Sequence, residues 1–175
     1  VPAGVLALLP GDGVVVGARA VADPRVAGVA FTGSTETARA INRSLAARDG
    51  AIATLIAETG GQNAMIVDSS ALPEQVVLDV VRSAFGSAGQ RCSALRVLCL
   101  QEEIAAVVLA LLRGYMDELV MGDPAVMATD IGPVIDAQAL AMLREHAARM
   151  QQVGKLVHQL APPVHLASGS FFGPA

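Results

Sequence analysis

Cys92 stands in Phe85-Gly86-Ser87-Ala88-Gly89-Gln90-Arg91-Cys92-Ser93, a run of small residues that lets backbone and ligand approach each other closely. A thiolate there attacks a carbonyl carbon readily. Arg91 is a cation next in sequence that favours the thiolate, and the nearby amide N–H groups would receive a developing oxyanion. Taken alone, such a cysteine is more often a small buried hydrophobe. Glu58, in Glu58-Thr59-Gly60-Gly61, supplies the matching acid or base: a carboxylate expected at the end of a buried strand, with glycines after it that leave it uncovered, is suited to activate water. By itself a strand-end glutamate in solvent is the commoner reading.

Thr32-Gly33-Ser34-Thr35 lies between a strand pattern and a helix pattern. Free amide N–H groups and hydroxyls at a helix start face an anion such as a phosphate, which makes Gly33 and Ser34 candidate cofactor contacts. Gly11, Gly13 and Gly17 form a second glycine cluster after another apolar run. Their spacing departs by one residue from the dinucleotide fingerprint, and tight turns explain them about as well. Glu36 reads as a first-turn residue favouring the helix dipole. His146, His158 and His165 make no metal pair at helical spacing, so no metal is expected. Cys99, inside Val97-Leu98-Cys99-Leu100, reads as core, and Met65, Met116 and Met150 as packing.

Positioning these groups requires alternating strands and helices, an α/β fold on a largely parallel sheet. Strands are expected at Val5–Leu9, Val26–Phe31, Ala51–Ala57, Ala64–Val67, Arg96–Leu100 and Lys155–Leu160. Helices are expected at Val14–Val21, Glu36–Ala47 with Ser34 or Thr35 as N-cap, and Pro73–Ala84 with its proline in the first turn. The clearest amphipathic pattern runs from Ile104 to Leu119, and a further helix spans Asp136–Val153. Residues near Gly61 read as a crossing between two subdomains.

The chain has 175 residues, a net charge of -4, 16% charged and 53% hydrophobic residues, and a mean hydropathy of +0.53. That composition buries enough apolar surface to offset chain entropy, so disorder is excluded. Eleven scattered arginines, one lysine (Lys155) and 3% aromatics give neither a phosphate-tracking stripe nor a base-stacking platform, which argues against nucleic acid. The apolar run Ile104–Leu112 is too short to span a membrane, and Pro162, Pro163, Gly169, Gly173 and Pro174 break the charge-free tail. Two cysteines without a disulfide framework and no signal peptide point to a reducing, cytoplasmic compartment. The chain opens on Val1-Pro2 and stops at Phe171-Phe172-Gly173-Pro174-Ala175, which reads as a piece of a longer protein. Surfaces packed against missing segments would then be exposed and favour self-association.

Phe31-Thr32-Gly33-Ser34-Thr35-Glu36, Glu58-Thr59-Gly60-Gly61-Gln62-Asn63 and Gly89-Gln90-Arg91-Cys92 occur in this order, with 34 positions from Glu58 to Cys92. The set resembles the NAD(P)-dependent aldehyde dehydrogenase family, and the likeness extends to Asp130-Ile131-Gly132-Pro133-Val134-Ile135 and to Gly169–Pro174. Within it, Gln62–Asp68 and Arg91–Arg96 look most like the 1-pyrroline-5-carboxylate dehydrogenase modules of bifunctional bacterial proline utilisation proteins. Many relatives carry Lys where this chain has Gln62.

The resemblance implies part of a Rossmann-type cofactor domain over residues 1–62 and part of an α/β catalytic domain over 63–175. It implies oxidation of L-glutamate 5-semialdehyde to L-glutamate with NAD, NADP being open. Cys92 would form the thiohemiacetal and Glu58 would activate the hydrolytic water. Gly33, Ser34 and Gly60 would lie by the cofactor, Gly11, Gly13 and Gly17 on its adenosine side, and Ser93 and Arg91 beside the aldehyde substrate. The Cys92 amide would be one oxyanion donor. The family's side-chain oxyanion Asn, its ribose-holding Lys, the Glu-x-Phe-Gly-Pro motif and the loop that anchors the substrate carboxylate have no counterpart here, so the chain alone is expected to be inactive or nearly so. Its implied partners are the remainder of the parent polypeptide, with a proline dehydrogenase domain, and further copies in a homo-oligomer. Another substrate branch, including members that acylate coenzyme A, and a non-catalytic dinucleotide-binding or structural module are the alternatives; retention of Glu58 weighs against the acylating members, and retention of Cys92, Glu58 and the glycines against the non-catalytic module.

Overall fold

A computed structural model describes residues 2–175. The chain divides into two compact units, one ending at Gly60 and one beginning at Gly61.

In the first unit a π-helical turn, Gly13–Gly17, runs into a short helix α1 (Ala18–Ala22), followed by β1 (Gly28–Gly33), α2 (Thr35–Ala46) and β2 (Thr54–Thr59). β1 and β2 are parallel, with α2 as the crossover between them, and the register sets Thr32 opposite Glu58 and Gly33 opposite Thr59. Ser34 caps α2: its hydroxyl accepts from the Thr37 amide at 3.1 Å. Arg48 fastens the unit, donating to the carbonyl oxygens of Val21 at 3.1 Å, Asp23 at 2.9 Å and Val26 at 2.9 Å. One cation thereby satisfies the end of α1 and the approach to β1.

The expected strand at Val5–Leu9 is absent: those residues are irregular and exposed. The sheet holding β1 has two strands, so no third ladder is available to pair their backbone. β2 is also less buried than expected, with only Leu55 and Thr59 half-buried, because α2 lies against two strands and cannot enclose them.

The second unit is built on β3 (Asn63–Val67), α3 (Pro73–Phe85), β4 (Leu95–Leu100) and α4 (Glu102–Asp117), with β3 and β4 parallel and α5 (Ala137–Val153) following. Pro73 opens α3, where its missing N–H costs nothing. Val77 and Val108, both 0% exposed, meet where α3 packs on α4, with Val67, Val76, Val80, Leu95 and Ile104 around them. Each such buried side chain stabilises the unit by roughly 1.5–3 kcal/mol.

The helices cover one face of the sheet. Ile66, at 84% exposure, and Cys99, its register partner, lie on the other. Cys99 is therefore exposed rather than core, because a strand pattern buried on both faces needs two helical layers and this sheet has one. The expected strand at Lys155–Leu160 is also irregular, although the Leu160 amide donates to the Pro174 carbonyl at 2.9 Å. Among the described residues no helix is long and apolar enough to cross a membrane.

Candidate active site

Between α3 and β4 the chain makes a turn that L-residues seldom adopt. Ser87 (φ 57°), Ala88 (φ 52°) and Gly89 (φ 70°) are consecutive left-handed residues, a conformation costing about 1–2 kcal/mol for each non-glycine position. At Gly89 a Cβ would lie 2.8 Å from the Ala84 carbonyl oxygen, so the third position has no room for a side chain. Cys92 follows three residues later, exposed, in the turn before β4, with Ser93 exposed beside it.

Four side chains hold this turn. Arg91 donates to the carbonyl oxygens of Arg82 at 2.9 Å and Ser83 at 3.2 Å, in the last turn of α3. Arg96 reaches back to the carbonyl oxygens of Gly89 at 2.7 Å and Arg91 at 3.4 Å. The Asn63 side-chain amide, from the first residue of β3, donates to the carbonyl oxygens of Cys92 at 2.8 Å and Ala94 at 2.9 Å. Gln90 donates to Ser87 O at 3.1 Å and Pro133 O at 3.3 Å and accepts from the Ile135 amide at 2.8 Å. The peptide on either side of the candidate nucleophile is thus held by hydrogen bonds rather than by burial, which leaves the thiol accessible.

The guanidinium of Arg91, expected beside the thiol and the substrate, is turned onto the end of α3 instead, where the helix dipole and unpaired carbonyls attract a cation. Asn63, Arg96 and the side-chain role of Gln90 carry no local sequence signal. Asn63 bonds across 29 and 31 positions and Gln90 across 43 and 45, separations that no periodicity reports.

In the first unit, Glu58 is exposed near the carboxyl end of β2, directly across the parallel ladder from Thr32, so Gly33 and Ser34 continue from its neighbour. Clefts at the carboxyl ends of parallel strands are where such sheets bind ligands. Ser34 serves the amides of Thr37 and Ala38, which leaves the Thr35 and Glu36 N–H groups at the start of α2 without a partner among the described residues. At Gly33 a Cβ would meet the Phe31 ring, 2.5 Å from its Cζ, so the glycine keeps that approach clear. These groups fit a phosphate-bearing cofactor.

Gly11 packs against Val16, where a Cβ would lie 2.5 Å from its Cγ2, and Asp12 caps the π-helical turn through the Val14 amide at 2.8 Å. Gly13, Gly17 and Gly60 border open space. His146 lies against Arg149 and His158 against Asp117, while His165 is exposed.

The aldehyde dehydrogenase family matches residues 1–175, and the chain belongs to that family. It is 59% identical over 162 residues to the bifunctional protein PutA of Klebsiella aerogenes, an alignment covering 91% of this chain and 12% of that protein. A crystal structure of a variant of Bradyrhizobium japonicum proline utilization A superposes with a TM-score of 0.89 at 54% identity, over 94% of this chain and 16% of that one. The 1-pyrroline-5-carboxylate dehydrogenase from Thermus with bound NAD superposes with a TM-score of 0.84 at 32% identity, over 95% of this chain and 32% of that one. The fold is that of aldehyde dehydrogenases, and the chain spans 12% to 14% of the length of the PutA relatives it matches.

Proposed function

We propose that this chain is the nucleophile-bearing portion of a longer NAD-dependent enzyme that oxidises L-glutamate 5-semialdehyde, the open form of 1-pyrroline-5-carboxylate, to L-glutamate. The observation that carries this reading is the exposed Cys92 in a strained turn tied by Asn63, Gln90, Arg91 and Arg96, in a chain that matches the family along its whole length. The substrate assignment draws on the relatives whose names specify proline utilisation and 1-pyrroline-5-carboxylate.

Cys92 as thiolate adds to the aldehyde carbon, forming a C–S bond while the carbonyl oxygen becomes the thiohemiacetal oxyanion. The Cys92 amide donates to that oxyanion. When bound, NAD would supply the hydride acceptor for oxidation of the thiohemiacetal to the thioester. Glu58 takes a proton from water, whose oxygen attacks the thioester carbon; the C–S bond breaks and the carboxylate product leaves the Cys92 thiolate free. Ser93 contacts the substrate, and Arg91 acts on the thiol by fixing the end of α3 rather than by touching the aldehyde.

Residues 1–62 belong to the cofactor domain and 63–175 to the catalytic domain, a reading supported by the separation of compact units at Gly60 and Gly61. Gly33 and Ser34 with the open start of α2 hold the pyrophosphate, Gly60 lies beside it, and Gly11, Gly13 and Gly17 shape the adenosine side. The working enzyme is a cytoplasmic homo-oligomer whose longer polypeptide carries a proline dehydrogenase domain.

NADH formation by the full-length polypeptide, compared between L-glutamate 5-semialdehyde and aldehydes lacking its carboxylate, tests the reading. A preference of at least about tenfold in kcat/KM for the carboxylated substrate is expected. Equal turnover of all the aldehydes would remove the proline-catabolic assignment.

A further inference from the structure

Gln90 joins the strained turn before Cys92 to a distant segment of the second unit. Its Nε2 donates to Ser87 O and Pro133 O and its Oε1 accepts from the Ile135 amide, while its own backbone N–H also donates to Ser87 O at 3.1 Å. The side chain therefore closes the left-handed turn from the far end and latches it to Pro133–Ile135. That segment is itself fixed: Val134 and Ile131 are buried, and the Val134 amide donates to the Ser170 carbonyl at 2.8 Å. A turn of Ser87 and Ala88 in the left-handed region persists only where its surroundings hold it, and Gln90 supplies that hold two residues before the thiol.

From this geometry we infer that Gln90 is a positioning residue for Cys92, setting where the thiol stands through simultaneous donation to two carbonyls and acceptance from one amide. The inference rests on the reading of Cys92 as nucleophile. The chemistry of the contact supplies a specific test. Glutamate at position 90 keeps the acceptor for Ile135, but when ionised it has no donor and sets a negative oxygen against Ser87 O and Pro133 O; when protonated, its O–H restores a donor.

The experiment uses the full-length polypeptide with Gln90→Glu and Gln90→Met, reading the rate of Cys92 alkylation by iodoacetamide and kcat and KM for the aldehyde across pH, with thermal unfolding alongside. Gln90→Met is expected to lower both the alkylation rate and kcat by about tenfold or more, with KM changed much less. For Gln90→Glu, the ratio of its alkylation rate to wild type is expected to rise about tenfold from about pH 8 to about pH 5, through one ionisation; the Gln90→Met ratio stays flat.

A Gln90→Glu ratio that does not vary with pH overturns the inference, as do rates for both variants equal to wild type. Should Gln90→Met not fold, the Gln90→Glu ratio decides alone. Alkylation reports on the thiol whether or not the aldehyde is the substrate, so a wild-type protein that alkylates rapidly but oxidises nothing removes the functional reading and leaves the positioning test standing.

Discussion

The side-chain amide of Asn63 bridges the carbonyl oxygens of Cys92 and Ala94, at 2.8 and 2.9 Å. Asn63 opens β3 and pairs in register with Leu95 just before the ladder shifts, so the irregularity between Asn63 and Ala64 turns this amide toward the residue that carries the thiol. Removing both donors with Asn63→Ala leaves two carbonyls without their partner and is expected to cost about 1–3 kcal/mol. Asn63→Asp, which sets a carboxylate against the same carbonyls, is expected to lower single-turnover hydride transfer more than Asn63→Ala does, by about tenfold or more relative to wild type. Stopped-flow NADH absorbance on the full-length polypeptide checks the order.

Gly89 and Ala88 respond oppositely to exchange. Gly89→Ala places a Cβ 2.8 Å from the Ala84 carbonyl in a left-handed conformation and is expected to destabilise by about 2 kcal/mol or more. Ala88→Gly relieves the same kind of strain and is expected to stabilise by about 1 kcal/mol. Chemical denaturation of the two variants beside wild type measures both signs.

Arg48 gathers three carbonyls from the α1 end and the approach to β1, and its guanidinium is partly buried. Arg48→Ala is expected to destabilise the first unit by about 2–3 kcal/mol, and Arg48→Lys to recover only part of the loss because an ammonium lacks the planar fork. Amide hydrogen exchange should show faster opening in β1 and α2 with little change in β3 and β4.

Asp68 follows β3, and its carboxylate accepts from the Ser70 hydroxyl at 2.5 Å and the Ser70 amide at 2.7 Å, which holds it below the usual carboxylate range. A lowered folded-state value means the turn's contribution is complete above the unfolded carboxylate value and is lost as pH falls through the folded one. In Ser70→Ala the Asp68 titration is expected to move up toward that of a free aspartate, read by carboxyl-carbon NMR. An unchanged titration would assign the shift elsewhere.

The helices were legible because their signals are local. Ser34 as N-cap, Pro73 in the first turn of α3 and the apolar steps through Ile104, Val108 and Met116 place α2, α3 and α4 within two residues of where they stand. The strands at Val5–Leu9 and Lys155–Leu160 failed because an apolar run becomes a strand only beside a partner. Cys99 failed because alternation does not reveal whether a sheet has one helical layer or two. At the candidate site the order of motifs marks Cys92, Glu58 and Gly33, whereas the hydrogen bonds from Asn63 and Gln90 span distances that no spacing encodes. Gly86 and Gly89 announce a turn there, but nothing in the residue types assigns positive φ to Ser87 and Ala88.

The central claim, that Cys92 is the nucleophile and Glu58 the hydrolytic base, is tested most directly by single-turnover NADH formation with acid quenching in the full-length polypeptide. The account predicts that Cys92→Ala gives no NADH, and that Glu58→Gln gives one burst near one equivalent of NADH per site followed by a stall, with the acyl group found by mass spectrometry on the peptide containing Cys92. Continuous turnover in Glu58→Gln at the wild-type rate, or NADH from Cys92→Ala, would contradict it.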